Sequence, residues 1–271
     1  MKFRTLVYFS ALVATILCGC SRDDKDLPET KQAVSFSTTI TGRAVNDAWT
    51  TGDKVGVYMI PEGGTLATAL ASNKKYTASS TGELTYDSED QAIYFPVDGS
   101  KVNFVTYYPY TATVSNNQIA VDVTNQTSQE AIDLLYAPTT TGFNNASTKV
   151  NLNFTHQLTR MVLNITKASN VTLTNFSVKL VGTETKAAFD LATGTLTTTA
   201  GNVDSIAYKL TDKGNNQYQA EAIVLPNSKL PDDAAIEFTI GTQTFKTSLA
   251  AASPNAGSSY SYPANISDNA G

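Results

Sequence analysis

Apolar and polar residues alternate with the period of a half-buried strand in segment after segment of this chain. Residues 119–123 read Ile-Ala-Val-Asp-Val, residues 150–154 read Val-Asn-Leu-Asn-Phe, and residues 236–240 read Ile-Glu-Phe-Thr-Ile. Residues 102–107 (Val-Asn-Phe-Val-Thr-Tyr) are largely apolar on both faces, which predicts a central strand. The pattern as a whole predicts an all-β protein built from many short strands.

Turn signals separate these strands at short intervals. Asp98-Gly99, Thr193-Gly194 and Lys213-Gly214-Asn215 each fall between strand-like runs, and residues 189–196 read as a hairpin. Many short strands with turns between them indicate a sandwich or a barrel.

Three segments depart from the regular strand pattern. The long polar loop after Tyr136 predicts the boundary between an N-terminal domain, residues 34–145, and a C-terminal domain, residues 146–271. The apolar positions shift by one near residues 174–175, which predicts a β-bulge. A capping-box spacing at the start of residues 127–135 predicts one or two helical turns.

The first twenty residues have the order of a secretory signal peptide. Lys2 and Arg4 precede an apolar run at residues 6–17 that is too short to span a bilayer. The tetrad Leu-Cys-Gly-Cys that ends at Cys20 resembles a bacterial lipobox. That resemblance implies removal of residues 1–19 and acylation of Cys20, which would be the first residue of the mature chain. An ordinary secretory signal with two chance cysteines is the alternative.

Residues 20–33 predict a disordered tether between the lipid and the fold, because they are charged, poor in large apolar side chains and contain Pro28. The acidic residues Asp23, Asp24 and Asp26 resemble the surface-export signal of lipoproteins in Gram-negative anaerobes. The resemblance implies a surface-exposed location at the outer membrane, and a plain solvated linker is the alternative.

The composition argues against several classes of function. Cysteine does not occur after Cys20, so we expect no disulfide and no cysteine nucleophile or metal ligand in the body. A formal net charge of −5 without a basic stretch argues against nucleic acid as a partner. His156 is the only histidine and no nucleophile motif accompanies it. We therefore expect neither an enzyme nor a bound metal or cofactor, and we interpret His156 as structural.

One aromatic segment, Tyr107-Tyr108-Pro109-Tyr110, is a candidate for ligand binding. If they are exposed, Tyr107 and Tyr110 would stack on sugars, and the chain would be a tip or surface adhesin for a host or microbial glycan or protein. If they are buried, the same residues would pack the edge of a sandwich.

Several segments in order resemble the fimbrillin-like family, the lipoprotein subunits of type V pili. Residues 49–58, Trp-Thr-Thr-Gly-Asp-Lys-Val-Gly-Val-Tyr, are similar to the family segment W-x-x-G-D-x-(V/I)-G-V-Y. Further similar segments follow at residues 94–110, 133–137, 154–161 and 257–262.

The resemblance implies two tandem transthyretin-like antiparallel β-sandwich domains and a role as a structural subunit, stalk or anchor, of a type V fimbria. It also implies assembly by strand exchange, in which an Arg-specific protease removes an N-terminal strand and a strand of another subunit replaces it. The expected partners are other fimbrial subunits and, through the lipid on Cys20, the outer membrane. Pro263 would interrupt a strand ladder near the C-terminus and puts in doubt whether this tail donates a full strand.

An N-terminal strand and a cleavage point can be assigned in this chain. Val34, Phe36 and Thr38 lie on one face of an alternating first strand. Arg43 follows it directly, so the resemblance implies cleavage between Arg43 and Ala44. An incidental turn arginine is the alternative.

One further modification is suggested by a short motif. Asp204-Ser205-Ile206 resembles the Asp-Ser/Thr-apolar O-glycosylation site of exported proteins in such anaerobes, which implies a glycan on Ser205. A chance match of three residues is the alternative.

Overall fold

Strands dominate the computed structural model, which describes residues 31–42, 48–147, 149–226, 230, 232–249 and 254–267. The predicted signal peptide and most of the predicted tether lie outside these ranges. Within them the helical elements are two single 3₁₀ turns, Leu66–Thr68 and Glu89–Gln91. None of the described residues belongs to a helix with the length and hydropathy that a membrane crossing requires.

The described residues form eighteen strands, in agreement with the all-β prediction. In chain order they are β1 (Phe36–Thr41), β2 (Lys54–Pro61), β3 (Ala71–Ala78), β4 (Glu83–Tyr86), β5 (Val102–Tyr108), β6 (Gln118–Asp122), β7 (Leu135–Phe143), β8 (Val150–His156), β9 (Thr159–Lys167), β10 (Ser177–Glu184), β11 (Lys186–Asp190), β12 (Thr195–Thr198), β13 (Val203–Ala207), β14 (Lys209–Gly214), β15 (Gln217–Val224), β16 (Ala235–Ile240), β17 (Gln243–Ser248) and β18 (Ser259–Ile266).

The first half of the chain forms a closed sheet with the strand order β1-β4-β3-β2-β5-β7-β8. The β1–β8 pair is parallel and closes the sheet, whereas the other neighbours are antiparallel. The interior is aromatic. Phe104 packs edge-on against Phe36 with 5.2 Å between ring centroids, and Trp49 packs edge-on against Phe154 at 5.1 Å. Edge-on pairs of this kind add to the stabilisation that burial alone gives.

The second half forms three further sheets, with the orders β13-β10-β16-β17, β12-β11-β6 and β14-β15-β9-β18. Successive side chains of a strand point to opposite faces, so every second residue points inward. On β9 these inward residues are Met161, Leu163 and Ile165, and all three are buried. Strand β6 comes from the first half of the chain but pairs with β11 of the second half.

The two halves share a hydrophobic core along β2 and β5. Val57 and Phe104 face the interior of the closed sheet, whereas Tyr58 and Tyr107 belong to the core of the second half. All seven residues of β5 are buried, which confirms the prediction of a central strand. The predicted domain boundary between residues 145 and 146 falls before β8, and β8 pairs with β7 and β1 of the closed sheet.

Local predictions had mixed outcomes. The hairpin at residues 189–196 is confirmed by the β11–β12 pairing. The bulge predicted near residues 174–175 is wrong, because that segment is a turn with Asn175 at a φ of 48°. The shift of register lies instead between Leu180 and Thr183. Gly182 lies within it, where a Cβ would come within 2.8 Å of the Asp233 carbonyl oxygen. Of the one or two helical turns predicted at residues 127–135, a single turn forms, in which the Asp133 amide donates to the Gln129 carbonyl oxygen at 3.0 Å, and Leu135 already belongs to β7.

Substituting Phe104→Ala should lower the free energy of unfolding by about 3–5 kcal/mol, because it leaves a cavity between Phe36, Phe95 and Phe143. Urea unfolding measures this loss. Val203→Ala, at a side chain that is 52% exposed, is the control and should change the free energy by less than about 0.5 kcal/mol. Equal effects of the two substitutions would contradict the assigned core.

Candidate functional site

Strand β1 occupies a slot between β8 and β4. It pairs in parallel with β8 over six residues, from Phe36 opposite Val150 to Thr41 opposite Thr155, but pairs with β4 only at Phe36 and Ser37. Val34, Phe36 and Thr38 are buried, as the alternating pattern predicts. The strand therefore fills a core position while it has a full-length neighbour on one side only.

Polar contacts fix the register of β1 against β8. Thr39 Oγ1 donates to Asn153 Oδ1 at 2.7 Å, and Ser37 Oγ donates to Asn151 Oδ1. On the other side, the Thr38 amide donates to the Gly82 carbonyl oxygen at 2.9 Å. A Cβ added at Gly82 would lie 2.5 Å from the Thr38 carbonyl oxygen, so glycine is needed for this approach.

The C-terminal strand β18 lies in a matching position in the second half. It pairs in parallel with β9 over eight residues, and Pro263 sits opposite Asn164 within that register. The expectation that Pro263 interrupts the strand is wrong, because β18 is an edge strand of its sheet and an edge tolerates a missing N–H donor.

The two terminal strands meet head to tail. Only Gln157 and Leu158 separate β8 from β9, so the neighbours of β1 and β18 follow one another along the chain. Two contacts lie next to this two-residue connection. A Cβ added on Gly42 would lie 3.6 Å from the Gly257 carbonyl oxygen. The Gly257 amide donates to the Leu158 carbonyl oxygen at 2.9 Å. The end of β1 and the start of β18 therefore lie at the same junction.

A buried polar pair lies at this junction. Nδ1 of His156 is 2.9 Å from Oδ2 of Asp133, and both side chains are buried. The two atoms are at ion-pair distance without hydrogen-bond geometry, and His156 Nε2 and Asp133 Oδ1 have no hydrogen-bond partner among the described residues. The pair borders a cavity of about 20 Å³ that Ile40 and Trp49 also line. Both residues lie in segments identified by the resemblance, but their pairing is not visible in the sequence because 23 positions of chain, including β7, separate them.

Two larger cavities lie elsewhere in the described residues. One, of about 590 Å³, lies between β16, β17 and β18 and is lined largely by apolar side chains, among them Phe238, Phe245 and Tyr262. The other, of about 630 Å³, lies between the 108–111 segment and β6 and has Tyr110 and Asp122 in its wall.

The two tyrosines proposed for ligand stacking differ in burial. Tyr107 is fully buried, and its hydroxyl donates to Asn73 Oδ1 at 2.8 Å; burial also raises the pKa of Tyr107. Stacking on a sugar is therefore wrong for Tyr107, and the packing alternative applies. Tyr110 is half-buried, and Lys75 Nζ lies 5.7 Å from the centroid of its ring. Tyr110 also lines the cavity of about 630 Å³.

The remaining sequence-predicted sites fall in different places. Ser205 is half-buried on β13, an outer strand of its sheet, and its amide donates to Asp204 Oδ1 at 2.7 Å. Cys20, Arg43 and Ala44 lie outside the described residues. No group of three or more metal-ligating side chains occurs among the residues that the structure describes.

These features are those of an all-β protein, and comparison with known proteins gives its family. A model of the fimbrillin-like family matches residues 42–271. The chain belongs to the fimbrillin-like family. A Bacteroides uniformis protein provisionally named fimbrium subunit Fim1C is 33% identical to this chain over an alignment 288 residues long. The alignment covers 98% of this chain and 91% of that protein.

Solved structures agree with this assignment. The crystal structure of a provisionally assigned cell adhesion protein from Bacteroides uniformis is 33% identical, with a TM-score of 0.73 over 89% of this chain and 95% of that chain. A second such protein, from Bacteroides ovatus, has a TM-score of 0.73 at 21% identity over 89% and 94% of the two chains, and it supports the fold alone. The family is one of structural fimbrial and adhesion subunits, which implies a cell-surface or extracellular location.

Substituting Tyr107→Ala should lower the free energy of unfolding by roughly 3 kcal/mol or more, because it removes a buried ring and leaves Asn73 Oδ1 without its donor. Tyr110→Ala is the matched substitution at a half-buried ring and should cost less than about 1 kcal/mol. Chemical denaturation of both variants measures the difference. A Tyr107→Ala variant as stable as Tyr110→Ala would contradict the packing role.

Proposed function

We propose that this chain is an exported lipoprotein that acts as a structural subunit, stalk or anchor, of a type V fimbria and assembles by strand exchange. The observation that carries the proposal is the position of β1. It is the first described strand, it fills a core slot through Phe36, and it pairs over its full length with β8 alone. A strand of another subunit can take this place by making the same main-chain hydrogen bonds.

The architecture proposed for this function is two tandem transthyretin-like sandwiches. Two hydrophobic cores, one inside the closed sheet and one among the three later sheets, support it. Two of the sheets of the second half, β13-β10-β16-β17 and β14-β15-β9-β18, have four strands each. The partners proposed are other fimbrial subunits and, through acylated Cys20, the outer membrane.

Strand β18 is the donor segment that the geometry favours. It is an eight-residue edge strand, and it begins where β1 ends. Detachment of β18 exposes β9 on one side, while the body of the second half keeps its antiparallel β14-β15-β9 sheet. A stalk subunit would release this strand, whereas an anchor would keep it in place.

An adhesin at the tip or surface is the second candidate. One observation favours it: Tyr110 and Asp122 border a cavity of about 630 Å³, and an aromatic face beside a carboxylate suits a sugar. Loss of glycan retention in Tyr110→Ala, with folding intact, would move the proposal to this function.

Lipid and glycan are two covalent modifications that one intact-mass measurement tests. Precursor protein purified from a Gram-negative anaerobe that lacks the Arg-specific protease should begin at Cys20 and carry acyl chains, and Cys20→Ser should lose them and leave the membrane fraction. Ser205→Ala should lose a glycan mass and keep the acyl mass. An unmodified wild-type chain would exclude both modifications.

Treatment of residues 21–271 with an Arg-specific protease should cut after Arg43 and convert the monomer to higher oligomers, because release of β1 frees its slot. Mass spectrometry identifies the cut and size-exclusion chromatography measures the assembly. Arg43→Lys is the matched control, since it keeps the charge but removes the cleavage site.

Two outcomes would count against this assembly. Protein that is cut after Arg43 but stays monomeric would favour an anchor or an adhesin, and oligomers of the Arg43→Lys variant in the same treatment would show that cleavage at Arg43 is not the trigger.

A further inference from the structure

The two ends of β1 are held by different numbers of neighbours. Phe36 and Ser37 pair with both β4 and β8, whereas residues 39–41 pair with β8 alone. The last hydrogen bonds toward β4 are those of Thr38 to Gly82. The carboxyl end of β1 therefore lacks a second strand neighbour among the described residues.

The imidazole of His156, at the end of the paired strand β8, lies against that end of β1. A Cβ on Gly42 would be 3.0 Å from Cδ2 and 3.7 Å from Cγ of His156, so the backbone at Gly42 packs directly on the ring. Gly42 has a φ of 118°, a conformation that favours glycine. Beside it, Thr41 Oγ1 donates to the Phe154 carbonyl oxygen at 3.2 Å.

Asp133 contacts the ring at Nδ1, away from Gly42. Its Oδ2 is 2.9 Å from His156 Nδ1, and the side chains of His156 and Asp133 are 1% and 5% exposed. The backbone around Asp133 is fixed in turn, because its amide donates to the Gln129 carbonyl oxygen at 3.0 Å and the Gln157 amide donates to the Leu134 carbonyl oxygen at 2.8 Å. The segments around Asp133 and His156, which are distant in sequence, are therefore hydrogen-bonded to each other next to the imidazole.

We infer that the His156–Asp133 pair is a clamp on the carboxyl end of β1, and that it sets how readily this strand leaves its slot. The clamp is a property of the single chain, while its role in regulating assembly rests on the proposed strand exchange. Removing the carboxylate frees the ring to turn away from Gly42, and residues 39–42 then keep their contacts with β8 as their main support.

Hydrogen exchange of the full-length protein tests the clamp without any protease. In Asp133→Asn and His156→Gln, amides of residues 39–42 should exchange at least about tenfold faster than in the wild type, since the contact that positions the ring against Gly42 is lost. Amides of the distant β14–β15 pair should keep their wild-type rates. Leu180→Ala, which opens the other core, is the control at matched global stability.

A second variant acts from the strand side and leaves the buried pair unchanged. Gly42→Ala places a Cβ against the His156 ring at an exposed position and should open residues 39–42 selectively. Gly52→Ala is its matched control, because Gly52 has a similar φ of 107° and nothing within 4 Å of the added carbon. It should leave β1 unchanged.

Selective opening of β1 in Asp133→Asn, His156→Gln and Gly42→Ala supports the clamp. Equal opening in Leu180→Ala or in Gly52→Ala, or unchanged exchange in the three variants, overturns it. If β1 opens selectively but the chain trimmed after Arg43 stays monomeric, the clamp stands and the proposed assembly fails. If β1 does not respond while trimmed wild-type protein forms oligomers, the assembly stands and the clamp fails.

Discussion

The parallel pairing of β1 with β8 is the interaction on which the first half of the molecule depends. It closes the sheet, and it is the one parallel pair in that sheet. Through it Phe36 reaches the centre of the aromatic core, edge-on to Tyr76 and Phe104 at 5.3 and 5.2 Å. Without β1, strands β4 and β8 become open edges and the core loses its central ring.

The second half cannot be separated cleanly from this arrangement. Tyr58 and Tyr107 of the closed sheet lie in the other core, and the Tyr136 hydroxyl donates to the Leu191 carbonyl oxygen at 2.8 Å. Strand β6 crosses over to pair with β11. The two halves are therefore packed together through buried rings.

Much of this fold is readable in the sequence, because alternation reports which side of a strand is buried. The patterns of β8 and β5, and the inward face of Val34, Phe36 and Thr38, follow from it directly. The alternating pattern does not predict which distant segments pair with each other. The crossing of β6 and the approach of Asp133 to His156 depend on tertiary packing, and the Gly182 irregularity depends on a backbone contact with Asp233.

The parallel pairing of the terminal strands with two consecutive strands has a mechanical consequence. Strands β8 and β9 are joined by two residues, and β1 and β18 pair with them in parallel. A pull on β1 or β18 along its own axis loads the hydrogen bonds of its pair in shear, so that they must break together and not one after another as in peeling. A strand held in the β1 slot in this geometry resists tension along its own axis while it remains open to stepwise displacement from its end.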